Sequence, residues 1–129
     1  MMARVWIAVG SLGAALALLV AAQFVHATEG QFAFAAREVF DVANDIHLAH
    51  SLALVAVGIL CAVYGPKILF QVAGGAFVLG ILLFCGGIYA ALGQPGSRPY
   101  IPIGGLLLMV GWVALAVSVF TFGKQQTST

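Results

Sequence analysis

Three histidines are the side chains in this sequence whose types and spacing are best suited to chemistry: His26, His47 and His50. Imidazole titrates near neutral pH and is a common ligand of transition metals. His47 and His50 are three residues apart, which places them on one face of a helix. Glu29 and Asp45 lie close to them in the sequence, where a carboxylate can orient an imidazole or share a metal ion. These five residues form the candidate polar cluster.

The candidate polar cluster has three interpretations. In the first, the histidines donate and accept ordinary hydrogen bonds with a neighbouring helix or with water at the membrane surface. In the second, they respond to pH or accompany proton movement. In the third, the His-x-x-His pair helps to ligate a metal ion or a haem. Because such a pair is a weak signal by itself, the sequence favours the first interpretation. We predict no cofactor and assign no metal.

The composition determines the solvent of the fold that must position these residues. The chain has 129 residues, of which 63% are hydrophobic and 7% charged, whereas soluble domains carry about 25% charged residues. Five Lys or Arg and four Asp or Glu cannot cover a water-soluble surface of this size. We therefore expect the lipid bilayer to surround the protein. The net charge of +1 and the lack of a Lys/Arg cluster exclude nucleic acid as a partner.

Four apolar runs are long enough to cross a bilayer, which takes about 20 helical residues. They lie at about 5–25, 46–64, 67–92 and 101–122. The runs are continuously apolar and do not alternate as barrel strands would. The sequence thus predicts an all-α membrane protein, with residues 1–129 as a single domain folded into an antiparallel four-helix bundle. A cleavable signal peptide is the alternative for the first run, which follows Arg4.

The acidic residues all lie in the segment between the first two runs: Glu29, Glu38, Asp41 and Asp45. Phe32, Ala36, Val39 and Phe40 recur there at near-helical spacing. We therefore predict an amphipathic interfacial helix over about 30–45, with its apolar face toward lipid. A polar loop is the alternative.

The distribution of Lys and Arg near the ends of the runs predicts the orientation. Arg4, Lys67 and Lys124 lie on one side of the bilayer, against Arg37 and Arg98 on the other. Cytoplasmic ends carry more positive charge. We expect an inner-membrane location with both termini in the cytoplasm. The two cysteines, Cys61 and Cys85, would lie too far apart for a disulfide.

Small residues supply the contacts expected between the helices. The chain has 16 glycines, most of them inside the apolar runs, and small residues let helix backbones approach closely in lipid. Large side chains such as Trp112 can fill the grooves beside them. The predicted packing residues are Gly80, Gly86, Gly87, Gly104, Gly105, Gly111 and Trp112.

The last third of the chain resembles the bacterial domain-of-unknown-function family four hundred and twenty-three. That family typically shows G-I-L-L-F-S-G-S-L-Y and then T-P-I-G-G-x-x-x-x-x-G-W. The matching residues are Gly80, Ile81, Leu82, Leu83, Phe84, Gly86 and Tyr89, followed by Pro102, Ile103, Gly104, Gly105, Gly111 and Trp112. His50 corresponds to the histidine of the family's Y-H-A-L-A-L segment, and His26 to that of G-A-F-G-A-H. The resemblance implies a four-span inner-membrane protein and no known activity.

Three functions remain open at this point. The glycine faces and the lack of charge at the centre of any run favour a structural or accessory subunit, bound to other membrane proteins or to itself. A small-solute or proton-linked channel or transporter is the second hypothesis, although transporters usually carry ionisable groups near the midplane. A haem or metal protein that uses His26, His47 and His50 is the third. No nucleophile motif, P-loop or zincin pattern is present, so we predict no enzyme.

Overall fold

The computed structural model describes residues 1–27, 34–92, 96 and 98–121. Its helices are α1 (Met2–Ala27), α2 (Phe34–Tyr64), α3 (Ile68–Gly80), α4 (Gly86–Ala91) and α5 (Tyr100–Ser118), and a short 3₁₀ turn (Val119–Thr121) follows α5. Across this described part, four helical segments are long and apolar enough to cross a membrane. The predicted all-α fold with four membrane spans is therefore confirmed.

The second helix begins earlier than predicted. We expected a separate interfacial helix over about 30–45, but residues 34–45 form the first turns of α2, which runs unbroken from Phe34 to Tyr64. The reason is that no proline interrupts this stretch and its one glycine, Gly58, lies far from the expected boundary. At 1.5 Å per residue α2 is about 46 Å long, whereas the hydrocarbon core is about 30 Å thick. Its acidic first turns therefore extend beyond the apolar layer.

The third span consists of two α-helices joined by a π-helical turn. Residues Ile81–Cys85 form that turn between α3 and α4, and the three pieces together cover Ile68–Ala91. A π turn inserts an extra residue into the helix and is frequent at functional sites. Nothing in the apolar run predicted it.

A tight turn connects α2 to α3. Gly65 has φ +80°, a left-handed conformation that glycine adopts without strain, and Pro66 cannot continue the helix. The Lys67 ammonium group then donates a hydrogen bond to the carbonyl oxygen of Thr121. This contact fastens the turn to the end of the last span.

The core lies between α2, α3 and α5. Phe70 and Phe77 of α3 are fully buried, together with Leu54 and Val57 of α2. The helix α1 lies along α2, and the two backbones meet closely at glycines. A Cβ atom on Gly10 would lie 2.6 Å from the carbonyl oxygen of Ser51, and one on Gly58 would lie 2.5 Å from Cγ1 of Ile7. Only glycine allows this approach.

The interface between the third span and α5 also depends on glycines. A Cβ atom on Gly111 would lie 2.5 Å from the Phe77 ring, and one on Gly104 would collide with the backbone nitrogen of Phe84. The neighbouring Gly105 differs, because its Cβ would sit at an ordinary contact distance of 3.5 Å from the Phe84 ring. Gly104 and Gly105 therefore provide a test position and a matched control for substitution by alanine.

We expect Gly104→Ala to lower the free energy of unfolding by about 1–3 kcal/mol, since the added methyl group would force a rigid backbone away. Gly105→Ala is the control and should leave the free energy of unfolding unchanged or raise it by up to about 1 kcal/mol, because alanine favours the helix and its methyl group has room. Reversible unfolding in mixed detergent micelles measures both values. Equal effects of the two substitutions would contradict the close contact at Gly104.

Candidate functional site

The polar side chains inside the bundle are concentrated on the first half of α2. Asn44, His47 and Ser51 follow one another at intervals of three and four residues, so they share one helix face. His47 is 4% exposed and Ser51 is fully buried. We call these residues, with Tyr89 of α4, the buried polar cluster.

Tyr89 connects the third span to α2 within the buried polar cluster. Its hydroxyl group donates to Oδ1 of Asn44 at 3.3 Å, and Nδ1 of His47 lies 3.3 Å from the same hydroxyl oxygen. The Tyr89 hydroxyl therefore links two side chains of α2 to the third span.

Aromatic rings close the cluster on the side of α1. Phe24 of α1 stacks on Phe40 of α2 with a centroid separation of 3.7 Å, and Phe40 lies 5.5 Å from the Tyr89 ring. Phe40 is 3% exposed. The sequence predicted that Phe40 would face lipid from an interfacial helix. In the structure its ring packs inside the bundle instead.

His50 makes a separate pair of hydrogen bonds, toward α5. Its Nδ1 lies 2.7 Å from the carbonyl oxygen of Ile46, and Nε1 of Trp112 donates to its Nε2 at 3.0 Å. The ring of Phe77 packs edge-on against the rings of His50 and Trp112. An imidazole that donates from Nδ1 and accepts at Nε2 is neutral, and both of its nitrogens are occupied.

A further polar pair near the other membrane face was not predicted from the sequence. Trp6 donates from Nε1 to Oε1 of Gln71 at 2.9 Å, and Nε2 of Gln71 lies 3.5 Å from the sulfur of Cys61. Trp6 also covers Gly74. The sequence feature that could have indicated this pair is Gln71 itself. A side-chain amide within an apolar run needs a hydrogen-bonding partner from another helix. Cys61 and Cys85 are both free and buried.

The candidate polar cluster predicted from the sequence is not gathered in one place. His26 is exposed in the last turn of α1. Asp45 is exposed and borders a shallow depression with Arg37, Glu38 and Asp41. Glu29 lies outside the described residues. Across the described ranges, no group of three or more His, Cys, Asp or Glu side chains could hold a metal ion.

The predicted packing residues differ in their surroundings. Glycines 80, 87, 104 and 111 stand where an added Cβ would come within 3 Å of a neighbouring helix, whereas Gly86 is exposed and meets no neighbouring helix within 4 Å. Trp112 is 49% exposed. It lines a wide groove with Ile46, His50 and Met109.

Comparison with known proteins identifies the family. The pattern of the family described as "Protein of unknown function (DUF423)" matches residues 12–105. The chain belongs to the DUF423 family. The match extends from the middle of α1 to the first turns of α5, and it includes the buried polar cluster and the glycine contacts of the third span.

Several curated relatives of this DUF423 chain are described only as UPF0382 membrane proteins. The relative from Staphylococcus epidermidis is 29% identical over 121 residues, covering 92% of this chain and 98% of its own length. The one from Staphylococcus saprophyticus is 31% identical and covers 91% and 98%. A relative from Haemophilus influenzae is 34% identical over 83 residues, covering 62% of this chain and 64% of its own. No solved structure matches the chain. These names place the protein in a membrane and mention no enzymatic activity.

The hydrogen bonds of His50 generate a prediction about its tautomer. We expect ¹⁵N NMR of the protein in lipid bilayers to show His50 protonated at Nδ1 and unprotonated at Nε2, because the Ile46 carbonyl accepts from one nitrogen and Trp112 donates to the other. Trp112→Phe should move the Nε2 resonance by several ppm through loss of the donor. Trp6→Phe removes the other bonded indole and should leave it unchanged. A hydrogen on Nε2 in the unmodified protein would contradict these contacts.

Proposed function

We propose that this DUF423 chain is a non-catalytic protein of the bacterial inner membrane that serves as a structural or accessory subunit. It would act in a larger membrane assembly or in a homo-oligomer, with lipid and other membrane protein subunits as its partners. The proposal extends the family assignment, which is limited to a membrane protein of unknown function.

The observation that carries this proposal is the mutual pairing of polar side chains inside the bundle. Asn44 and His47 each bond to the hydroxyl group of Tyr89, and His50 bonds to Trp112. A group used in this way has less capacity to bind a passing ion or solute. The sequence of the third and fourth spans, Ile68–Ala91 and Tyr100–Thr121, contains no charged residue. Transport proteins usually carry ionisable groups at that depth.

The distribution of burial among the spans supports an assembly. In the apolar 18-residue stretch of the first span 11% of the residues are buried within the chain, against 39% in the second and third spans and 28% in the fourth. The outer face of α1 is formed by leucines, of which Leu12 is 71% exposed. This face adjoins lipid or another subunit. In lipid, association depends on packing of side chains rather than on a hydrophobic driving force.

The proposed orientation places both termini in the cytoplasm. Arg4 precedes most of the first span, and Lys67 lies in the turn between α2 and α3 on the same side of the bundle. The acidic first turns of α2, with Glu38, Asp41 and Asp45, would then face the periplasm. An accessory subunit could use this surface to contact a partner outside the bilayer.

The proposal predicts that the protein is not a lone monomer in its native membrane. Extraction into polymer-bounded lipid particles followed by native mass spectrometry should yield either several copies of the chain or a partner in fixed stoichiometry. Leu12→Trp on α1 should lower the association constant at least about fivefold, because a misfitting side chain costs about 1 kcal/mol or more in a packed interface.

Val113→Trp provides the matched control. Val113 of α5 is 62% exposed, so the substitution likewise introduces an indole at an exposed position, but on a different helix from Leu12. It should leave the assembled fraction unchanged. A monodisperse monomer in the unmodified protein, or ion or solute flux through proteoliposomes of purified protein, would refute the accessory role.

A further inference from the structure

The groove beside Trp112 lies between α2 and α5, on the outer side of the third span. Ile46 and His50 line it from α2, and Phe84 contributes from the third span. The residues that line it from α5 share one helix face: Pro102, Gly105, Leu106, Met109 and Trp112. We call it the α2–α5 groove.

The α2–α5 groove is apolar and open to lipid. Leu106 and Met109 are each 58% exposed. Both nitrogens of His50 are occupied, one by the Ile46 carbonyl group and the other by the indole of Trp112. The walls therefore suit a hydrocarbon chain rather than a polar ligand.

The groove covers about half of the membrane thickness. It begins at Pro102 in the first turn of α5, at the membrane face, and ends at the hydrogen bond between Trp112 and His50, which joins its two walls. From Pro102 to Trp112 the helix advances about 15 Å, whereas the hydrocarbon core is about 30 Å thick. Beyond this bond Val57 of α2 and Ala114 of α5 are buried.

That length favours a lipid over a second copy of the chain. An acyl chain of one leaflet extends from the membrane face to the midplane, as the groove does. A transmembrane helix from a second copy would need a groove through the full thickness of the bilayer. The occupant that fits is therefore a single acyl chain.

A basic side chain stands at the membrane end of the groove. Arg98 lies four residues before Pro102, and the amide of Ile101 donates to its carbonyl oxygen, so this turn continues into α5. Nη1 of Arg98 donates to the hydroxyl oxygen of Tyr100 at 3.1 Å. A guanidinium carries five N–H donors, so this bond leaves donors for a phosphate group. The amino end of α5 adds positive partial charge.

The acidic side chains of α2 do not oppose this charge within the groove. Glu38, Asp41 and Asp45 border a different depression, which shares no lining residue with the α2–α5 groove. The charge that continues the groove at the membrane face is therefore positive, and it complements a phosphate group.

We propose that the α2–α5 groove binds one phospholipid of the leaflet at the Tyr100 end of α5. One acyl chain lies along Pro102, Met109 and Trp112, and the phosphate group pairs with Arg98. Basic residues beside transmembrane helices recognise lipid headgroups in this way. This defined site goes beyond general contact with the bilayer and does not depend on the accessory role.

Trp112 reports directly on the occupant, because bromine atoms on an acyl chain quench indole fluorescence on contact. Trp6→Phe leaves Trp112 as the only tryptophan of the full chain. The probes are phosphatidylcholine and diacylglycerol with the same brominated chains, each as a minor component of unbrominated phosphatidylcholine bilayers. We expect the brominated phospholipid to occupy the groove at least about fivefold more strongly than the diacylglycerol, which lacks the phosphate group.

Two arginine variants test the role of the phosphate group. Arg98→Gln should reduce the preference for phospholipid to about 1.5-fold or less, because the charged partner is lost. Arg37→Gln is the control, since Arg37 is an exposed arginine in the first turn of α2 and does not line the groove. Its preference should equal that of the parent protein.

Two glycine variants test the role of the groove. Gly105→Leu should also remove the preference, because its Cβ atom lies 3.5 Å from the Phe84 ring and the rest of the side chain would fill the groove. Gly75→Leu is the control, because a Cβ atom on Gly75 meets nothing within 4 Å and Gly75 does not line the groove.

Native mass spectrometry supplies a second measurement that leaves Trp6 in place. The unmodified protein should retain one phospholipid per chain, and Arg98→Gln should largely lose it. Equal quenching by the two brominated lipids in the parent protein would overturn the proposal, and so would an unchanged preference in Arg98→Gln or Gly105→Leu. Absence of quenching by either lipid, as expected if a second copy covers the groove, would overturn it as well.

Discussion

The fold depends on one constraint: in hydrocarbon, a polar side chain must find its hydrogen-bonding partner within the protein. The described spans satisfy it with contacts between helices. Tyr89 reaches Asn44 and His47, and Trp112 reaches His50. Each pair joins two different spans, so the need for partners also fixes how the helices are rotated against one another. Oγ of Ser51 is the exception, because it has no hydrogen-bond partner within the described residues.

Glycine contacts bring together the helix pairs that these hydrogen bonds do not join. At Gly10 and Gly58 the backbones of α1 and α2 approach until a methyl group would not fit, and Gly104 does the same between α5 and the third span. Close glycine packing and polar pairing therefore act between different pairs of spans. The acidic first turns of α2 lie beyond the apolar layer and are exempt from the constraint.

The sequence predicted the number of spans and their antiparallel order, because run length and hydropathy follow directly from the bilayer thickness. It did not predict the pairings between helices, which depend on how each helix is rotated. Gly86 and Gly87 illustrate the difference: they are adjacent and were both expected to pack, yet only Gly87 meets a neighbouring helix. Likewise His47 and His50 share a helix face but bond to different spans. The uniformly apolar run gave no indication of the π turn. The prediction of an interfacial helix separate from α2 was wrong, because α2 is continuous from Phe34 to Tyr64.

The central claim is that the polar side chains inside the spans are paired with one another and kept from water. Magnetisation transfer from water to assigned side chains, measured by solid-state NMR in bilayers, tests it most directly. Asp45 and Glu38, which are exposed on α2, should receive magnetisation quickly. His47 and Tyr89 should receive it at least about tenfold more slowly, as expected for groups enclosed by protein. Equally fast transfer to all four side chains would reveal a hydrated interior and contradict the account.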